Sequence, residues 1–589
     1  MNLKEAIRTI RINPKKEQFK TLTTIWGEAL KPDSVLKEYP RPQMVRDSYI
    51  NLNGLWNYAF TASKNYPSKF DGKILVPFSP ESQLSRVRRQ LKPHEFLWYE
   101  TTFKVETPFK EHRCILHFGA VDQCCVVYIN RRKVMRHVGG YLPFEVDITE
   151  YLKSGSNTLT LCVQDFSDTS YHSRGKQKLH RGGMFYTAVS GIWQTVFMEW
   201  VPETYIKKLF VTPDYESSTV KIQIISNKSS SQKMSVEIID DGEIINQQTT
   251  RLDHITLTIP NRKDWSPERP FLYGLHIRLG EDFVTSYFAM RLMTIEPDNH
   301  NIPRFCLNHK PIFLHGVLDQ GYWPDGLYTA PSDDALIFDI DKAKSLGFNM
   351  IRKHIKIEPA RWYYHCDRLG IIVWQDMVNG GTSYHTPFVT WLPTLMPWTR
   401  THIKDCFYRL FSRRNLTGRK EWLRECYLTI EHLSHFPCIS TWVPFNEGWG
   451  QFDADKVTSL IRKKDPTRLI DSTSGWFDQG LGDFKSEHNY FEKLKVVPDK
   501  RAFAISEYGG YACYIKEHSS INRIYGYKTF STAEQFNEAY FDLIENQLKP
   551  LIQEGLCASV YTQLSDIEEE VNGIMTYDRR VVKLTKPPH

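Results

Sequence analysis

The sequence predicts a multidomain protein made of a jelly-roll β-sandwich, an immunoglobulin-like β-sandwich and a C-terminal (β/α)8 TIM barrel. Three observations lead to this prediction. Short runs of β-branched and aromatic residues, separated by turn residues, fill the chain up to about residue 295. Beyond residue 303, apolar strand patterns alternate with helical patterns. The chain has 589 residues, which suits about three or four domains of ordinary size.

The domain boundaries are predicted from the places where the pattern changes. Residues 1–45 form an N-terminal arm that ends in the proline-rich segment Tyr39-Pro40-Arg41-Pro42. Residues 46–202 have strand patterns with almost no helical periodicity, which favours a jelly roll. Residues 203–296 hold at least five short alternating strands, a pattern typical of an immunoglobulin-like sandwich. The barrel is assigned to residues 297–589.

The barrel prediction rests on eight apolar strands, at residues 313–317, 349–354, 371–375, 439–445, 468–472, 485–490, 502–507 and 558–563. Helical patterns lie between several of them, and the chain leaves little room for an eighth helix and none for further C-terminal β domains. In a TIM barrel the C-terminal ends of the strands build the active site. Polar residues at those ends are therefore the candidates for chemistry.

Two glutamates stand at such strand ends. Glu447 lies in Asn446-Glu447-Gly448-Trp449 and Glu507 in Ser506-Glu507-Tyr508-Gly509. Three explanations are open from the residues alone: a glycosidase pair, a divalent-metal site, or a structural ion pair with Arg352. A metal site would normally show more carboxylates or histidines at clear ligand spacing. The flanking amide and aromatic side chains favour glycoside hydrolysis.

Composition excludes several other classes of function. The net charge of +7 is small and scattered, so no nucleic-acid partner is expected. Eleven cysteines without a Cys-x-x-Cys spacing argue against a disulfide framework and against a zinc site. We find no apolar run long enough to span a membrane, and no signal-peptide pattern in the first 30 residues. A cytoplasmic location is expected, and a homo-oligomer is left open.

Several motifs together resemble those of one enzyme family. They are Trp26-Gly27-Glu28, Leu52-Asn53-Gly54-Leu55-Trp56, Ser190-Gly191-Ile192-Trp193, Asn446-Glu447-Gly448 and Ser506-Glu507-Tyr508. The sequence resembles glycoside hydrolase family 2, the β-galactosidase and β-glucuronidase family, along nearly its whole length. In that resemblance the first motif belongs to the N-terminal arm, the next two begin and end the sugar-binding jelly roll, and the last two hold the catalytic glutamates.

The resemblance implies a retaining exo-β-glycosidase, with Glu447 as the acid/base and Glu507 as the nucleophile. It further suggests that Trp449 helps to keep Glu447 protonated, while Arg352 and Tyr490 keep Glu507 ionised and aimed. The residues expected to bind the carbohydrate substrate are Asn446, Arg352, His354, Asp376, Trp449, Trp476, His488, Tyr490, Gln563 and Asp168. No cofactor is expected, and no metal, because the magnesium ligands of the large β-galactosidases have no match after the third strand.

For the sugar, a β-galactoside is favoured. The β-glucuronidases bind the sugar carboxylate through an Asn-x-Lys motif. In this sequence Asn522-Arg523 and Lys528 are only approximate matches to that motif. Arg352, the clearest cation at a strand end, is expected to pair with Glu507, so it is not available to bind a sugar carboxylate. The alternatives are a β-glucuronidase or another family 2 exo-glycosidase. A catalytically silent carbohydrate-binding protein is the alternative from another class, although such a protein would be expected to have lost one of the two glutamates.

Overall fold

The computed structural model describes residues 20–106, 112–229, 231–396, 399–522 and 524–585. The beginning of the predicted arm, residues 1–19, lies outside these ranges, as does Arg523. The described residues confirm the predicted fold class, with two β-sandwiches followed by a barrel of parallel strands. None of the described helices combines the length and the apolar character needed to cross a membrane.

The jelly roll consists of two antiparallel sheets that enclose one core. Burial alternates along Cys124–Ile129, as expected for a strand with one face turned toward the other sheet. Trp56, Tyr99 and Leu116 are among the side chains that fill the space between the sheets. In spatial order, one sheet holds Tyr49–Asn51, Val196–Pro202, His112–Phe118 and Phe144–Asp147. The other holds Gly72–Val76, Gly54–Thr61, Phe96–Val105, Gly155–Gln164, Cys124–Ile129 and Arg132–Val138.

Two short strand pairs lie in the loops of the jelly roll. One pair is antiparallel and joins Val121–Asp122 to Gly191–Ile192. The other is parallel and joins Gln177–Lys178 to Tyr186–Thr187. The second pair belongs to a segment that leaves the jelly roll and packs against the barrel.

The second sandwich has a sheet of three strands and a sheet of four. Its core contains Val220, Ile238 and Leu275, all fully buried. The three-stranded sheet holds Ile206–Asp214, Thr219–Ser226 and His254–Thr258. The four-stranded sheet holds Glu243–Thr250, Met234–Asp240, Tyr273–Leu279 and Asp282–Phe288. A small sheet then leads into the barrel, made of Met293–Pro297, Pro303–Leu307 and Lys310–Pro311.

The barrel strands, numbered one to eight along the chain, are Leu314–Asp319, Met350–Lys353, Ile372–Asp376, Ile439–Val443, Leu469–Ile470, Phe484–Asn489, Ala502–Gly509 and Leu556–Thr562. They pair in parallel with their neighbours in chain order, and the eighth strand pairs with the first. Strands five and six are joined through Asp483 instead of a ladder. Its backbone N–H donates to the Ile470 carbonyl at 2.8 Å, and its carboxylate accepts the Ile470 N–H at 2.7 Å.

Helices follow the first four strands and the seventh. The helical segments of the barrel are Asp333–Ser345, Ala360–Leu369, Pro387–Trp391, Leu392–Leu395, Thr399–His402, Leu416–Leu433, Ala454–Lys464, Ala533–Asp542, Leu543–Leu548 and Lys549–Glu554. The fully described connections between strands five, six and seven contain no helix. The first of these connections holds three glycines with positive φ, Gly475, Gly480 and Gly482, which favour turns over a helix. Residues 563–585, after the eighth strand, also contain no helix.

Candidate active site

Glu447 lies in a turn just beyond the fourth strand. A two-residue strand, Phe445–Asn446, precedes it, and its backbone N–H donates to the Ser474 carbonyl at 3.0 Å. Its φ is +51°, a left-handed conformation that costs a non-glycine residue about 1 kcal/mol or more. The next residue, Gly448, has φ +72°, and a Cβ there would lie 2.5 Å from the Phe477 ring. This turn therefore requires a glycine directly after the glutamate.

The carboxyl group of Glu447 is buried. Burial raises its pKa to about 7, although the positive charges of Lys176, Arg352 and Arg400 lower it. One carboxyl oxygen, Oε1, lies 2.8 Å from His488 Nδ1, so the two atoms share a hydrogen. Burial also lowers the pKa of His488 to about 4, so the ring is neutral at neutral pH. The result is a carboxyl group that keeps its proton close to neutral pH.

Glu507 lies on the seventh strand, whose residues are all buried. Both of its carboxylate oxygens receive a hydrogen bond. Arg352 donates to Oε1 at 3.2 Å, and the Tyr490 hydroxyl donates to Oε2 at 2.5 Å. Two donors on two different oxygens fix the plane of the carboxylate, as a nucleophile requires.

Arg352 connects four of the predicted site residues. Its guanidinium, fully buried, forms a two-pronged pair with Asp376, with both N–O distances at 3.0 Å. It also donates to Asn446 Oδ1 at 2.9 Å. Asp376 lies 2.8 Å from His354 Nδ1. Burial disfavours the arginine charge, but Asp376 and Glu507 more than compensate and raise the pKa of Arg352 above its ordinary value. The arginine thus ties the ends of strands two, three, four and seven together.

The two glutamates lie close together. One carboxyl oxygen of each, together with a ring nitrogen of His488, forms a group whose atoms all lie within 4.8 Å of one another. Two carboxylates and an imidazole could also ligate a divalent ion. The hydrogen bonds favour that role less, because Arg352 and Tyr490 each already use a lone pair of Glu507, one on each oxygen. The guanidinium charge would also repel a metal ion placed there.

A cavity of about 450 Å³ is lined by Glu447 and by Tyr490, the hydrogen-bond donor to Glu507, and aromatic side chains form much of its wall. Trp449 packs on Phe185 at 5.4 Å and on Tyr384 at 5.9 Å between ring centres. Tyr490 stacks on Tyr527 at 3.8 Å, with the rings 6° from parallel. Flat apolar rings beside hydrogen-bonding groups suit the binding of a sugar ring. Trp476, predicted from the sequence, also lines this cavity.

Part of the wall comes from the jelly roll, through residues other than Asp168, the one jelly-roll residue that the sequence predicted in the site. Residues 174–187 leave that domain and dock on the barrel, where the backbone N–H groups of Arg174 and Gly175 both donate to the Asn379 carbonyl. From this segment, Lys178, Arg181 and Phe185 line the cavity. Several basic residues within eight positions of a loop, Arg174 to Arg181, were the one signal in the sequence.

Two other predicted residues make their hydrogen bonds elsewhere. The Gln563 amide is fully buried between Gln320, at 2.9 Å, and Asn572, at 2.8 Å. The Asp168 carboxylate accepts the backbone N–H of Leu179 at 3.1 Å, a residue eleven positions further along the chain in the segment that docks on the barrel. Neither is joined to the glutamate pair by a hydrogen bond in the described part of the chain.

The approximate matches to the carboxylate-binding motif of β-glucuronidases give no clear candidate. Lys528 is exposed on the strand Lys528–Phe530, with its ammonium beside the rings of Tyr511 and Phe530. Arg523 is outside the described residues.

Comparison with known proteins places this site in a family. The model of the family 2 glycosyl hydrolase sugar-binding domain matches residues 87–202. A second model, of glycosyl hydrolases family 2, matches residues 204–291, and the TIM-barrel model of the same family matches residues 301–560. These matches cover each of the three folded regions.

Individual relatives are similar over much of the chain. A β-galactosidase of Thermoanaerobacter pseudethanolicus is 25% identical over 503 residues, 81% of this chain and 63% of that protein. A human β-glucuronidase is 26% identical over 421 residues, 61% of each chain. The match thus spans less than two thirds of either relative. The structure of a β-D-glucuronidase from Dictyoglomus thermophilum, 18% identical, superimposes with a TM-score of 0.70 over 92% of this chain and 96% of that chain. On the matches to all three domain models, the chain belongs to glycoside hydrolase family 2.

Proposed function

We propose that the protein is a retaining exo-β-glycosidase that releases terminal β-linked sugars through a covalent glycosyl-enzyme. The observation that carries this proposal is the distance of at most 4.8 Å between carboxyl oxygens of Glu447 and Glu507. Retaining glycosidases hold their carboxyl groups about 5 to 5.5 Å apart, whereas inverting enzymes need about 6.5 to 9.5 Å to admit a water molecule. The short separation supports retention.

The environments of the two groups support different roles. In the first step Glu507 attacks the anomeric carbon, while Glu447 donates its proton to the departing glycosidic oxygen. In the second step Glu447, now a carboxylate, takes a proton from water, and the resulting hydroxide displaces Glu507 from the sugar. Asn446 Oδ1 is already engaged by Arg352, so its amide N–H groups are left to donate to the sugar, as the family resemblance implies for the 2-hydroxyl.

Two classes of sugar are supported. A galactoside is the candidate from the sequence, and Arg352 is indeed committed to Asp376 and Glu507. That argument assumes that no other cation reaches the sugar. A uronide is the second candidate, because Lys178 and Arg181 line the cavity. The relatives named above include both a β-galactosidase and a β-glucuronidase. Cytoplasmic location and oligomeric state stay predictions.

Substitution of each glutamate separates the two roles. We expect Glu507→Ala to abolish cleavage of aryl β-glycosides, because no glycosyl-enzyme can form. Glu447→Ala should retain slow cleavage of substrates with good leaving groups, and azide should accelerate it by attacking the stalled intermediate. Proton NMR of the first product formed by the wild type should show the β-anomer.

Glu538→Ala, at an exposed position of the helix Ala533–Asp542, is the control and should keep full activity. An inverted first product, or azide rescue of neither variant, would contradict the mechanism. Binding of sugars without any turnover by the wild type would favour the silent carbohydrate-binding alternative.

A further inference from the structure

Lys176 is unlike the other buried lysines of the protein. Five lysines are buried among the described residues, and four of them contact a carboxylate: Lys353, Lys356, Lys485 and Lys583. Lys176 is only 7% exposed, yet within the described chain its ammonium has no ion-pair or hydrogen-bond partner. The ammonium lies over the rings of Trp449 and Tyr186, at 5.7 and 5.8 Å from the ring centres. A side chain this buried leaves its ammonium little access to water, so a bound anion would be a favourable partner for it.

The Lys176 charge lies close enough to two of the predicted site residues to affect their pKa values. Burial raises the pKa of Glu447 and lowers that of His354, and in both cases the nearby charge of Lys176 lowers the pKa. Glu447 follows strand four and His354 follows strand two, so Lys176 acts on two sides of the site. Its third neighbour, Trp449, belongs to the cavity wall.

The position of Lys176 is fixed by its backbone. Its carbonyl accepts the N–H of Tyr186 at 3.0 Å, and the preceding Gly175 donates to Asn379 at 3.1 Å. Gly175 has φ +63°, and a Cβ there would lie 2.9 Å from the Ile355 carbonyl. The lysine is therefore held at the end of the second strand by close packing between two domains.

We propose that Lys176 binds an anionic substituent on the sugar, a carboxylate or a sulfate ester, and so makes an acidic sugar the preferred substrate. This inference rests on the proposed glycosidase function. Glu447 is not this partner, since it forms no ion pair with Lys176 in the described chain and shares its hydrogen with His488. A substrate anion would give the ammonium its acceptor, and the neighbouring Lys178 adds positive charge along the cavity.

A competing explanation is that Lys176 only tunes Glu447. Removing a charge that merely lowers the pKa of Glu447 would move the alkaline limb of the pH profile upward by the same amount for every substrate. Removing an anion-binding group would reduce kcat/KM for anionic sugars alone. The two explanations therefore differ in their dependence on substrate.

The test compares wild type, Lys176→Met, Lys176→Arg and Lys104→Met on aryl β-glycosides with one leaving group. The sugars are galactose, glucose, galacturonic acid, glucuronic acid and galactose 6-sulfate. We expect the wild type to cleave at least one acidic glycoside about 30-fold better than its neutral counterpart, and Lys176→Met to lose that advantage. Lys176→Arg should keep part of it. Lys104, exposed on a jelly-roll strand, is the matched control and should change nothing.

The acidic substrate that responds identifies carboxylate or sulfate as the anion. Preference of the wild type for neutral sugars would overturn the proposal, as would an equal effect of Lys176→Met on acidic and neutral substrates. If no glycoside is cleaved, the proposed function has failed, and calorimetric binding of the free acidic and neutral sugars to the wild type decides the inference separately. Binding that favours the acidic sugar supports it, and equal or absent binding refutes it. The wild-type measurements stand even if Lys176→Met does not fold.

Discussion

Glu447 combines a strained backbone with a carboxyl group whose pKa burial raises to about 7. Because the first step needs this proton, we expect kcat/KM for an aryl glycoside to fall as the pH rises through about 7. A dinitrophenyl glycoside, whose leaving group needs little protonation, should show a weaker alkaline decline. Rates measured from pH 5 to 9 on both substrates check this, and a flat profile up to pH 9 with the poorer leaving group would contradict it.

Tyr490 is the second hydrogen-bond donor to Glu507, the proposed nucleophile. Tyr490→Phe removes the 2.5 Å hydrogen bond to Glu507 but keeps the ring, which stacks on Tyr527. We expect kcat to fall about 100-fold, in the range found for loss of one positioned donor, with little change in the melting temperature. A variant with unaltered kcat would show that the hydroxyl does not orient the nucleophile.

The hydrogen bonds to Glu507 also predict whether activity depends on a metal ion. Since Arg352 and Tyr490 occupy its oxygens, activity should survive exhaustive dialysis against EDTA. A loss of turnover that added magnesium restores would show that Glu447, His488 and Glu507 hold an ion after all.

At the scale of the elements, the Arg352 side chain links the second barrel strand to the third and the seventh. Its side chain, placed by the second strand, reaches Asp376 on the third and Glu507 on the seventh. A lysine cannot reproduce the two-pronged pair, so Arg352→Lys should lower the free energy of unfolding by about 3 to 5 kcal/mol and abolish turnover. The control is Arg462→Lys, whose partly exposed pair with Asp483 should be worth about 1 kcal/mol or less. Urea unfolding measures both, and equal losses would refute the argument.

The sequence could predict those parts of the site that lie next to a strand in the chain. Glu447 and Glu507 were recognisable because each directly follows or ends an apolar run, and strand ends converge in a barrel. Lys176 was not, because it comes from another domain, and only tertiary packing shows that it is buried and unpaired. Asp168 illustrates the reverse case, since the sequence suggested a role in sugar binding but its carboxylate accepts the backbone N–H of Leu179. The missing helix before strand six reflects glycines with positive φ, which a periodicity argument does not register.

At the scale of the whole molecule, the jelly roll and the barrel share one site, and Gly175 tests that contact. Gly175→Ala adds a methyl group 2.9 Å from the Ile355 carbonyl at φ +63°, so the segment must shift. We expect kcat/KM to fall at least about tenfold. Gly155→Ala is the matched control, because its φ is +84° but no atom lies within 4 Å of the added methyl group. It should lose about 1 kcal/mol of stability and no activity. Similar activities for the two variants would mean that the docking of residues 174–187 does not matter for turnover.

The docked segment separates two properties that a single-domain enzyme would have to change together. The two carboxyl groups that we propose as catalytic belong to the barrel, whereas the charge we assign to sugar choice is carried by a loop of a different domain. Substitutions in residues 174–187 can therefore explore new sugars while the reacting carboxyl groups stay as they are. A library confined to that loop would be a direct way to evolve the protein toward other glycosides. In natural evolution, too, a few substitutions in this one loop would be enough to change the sugar.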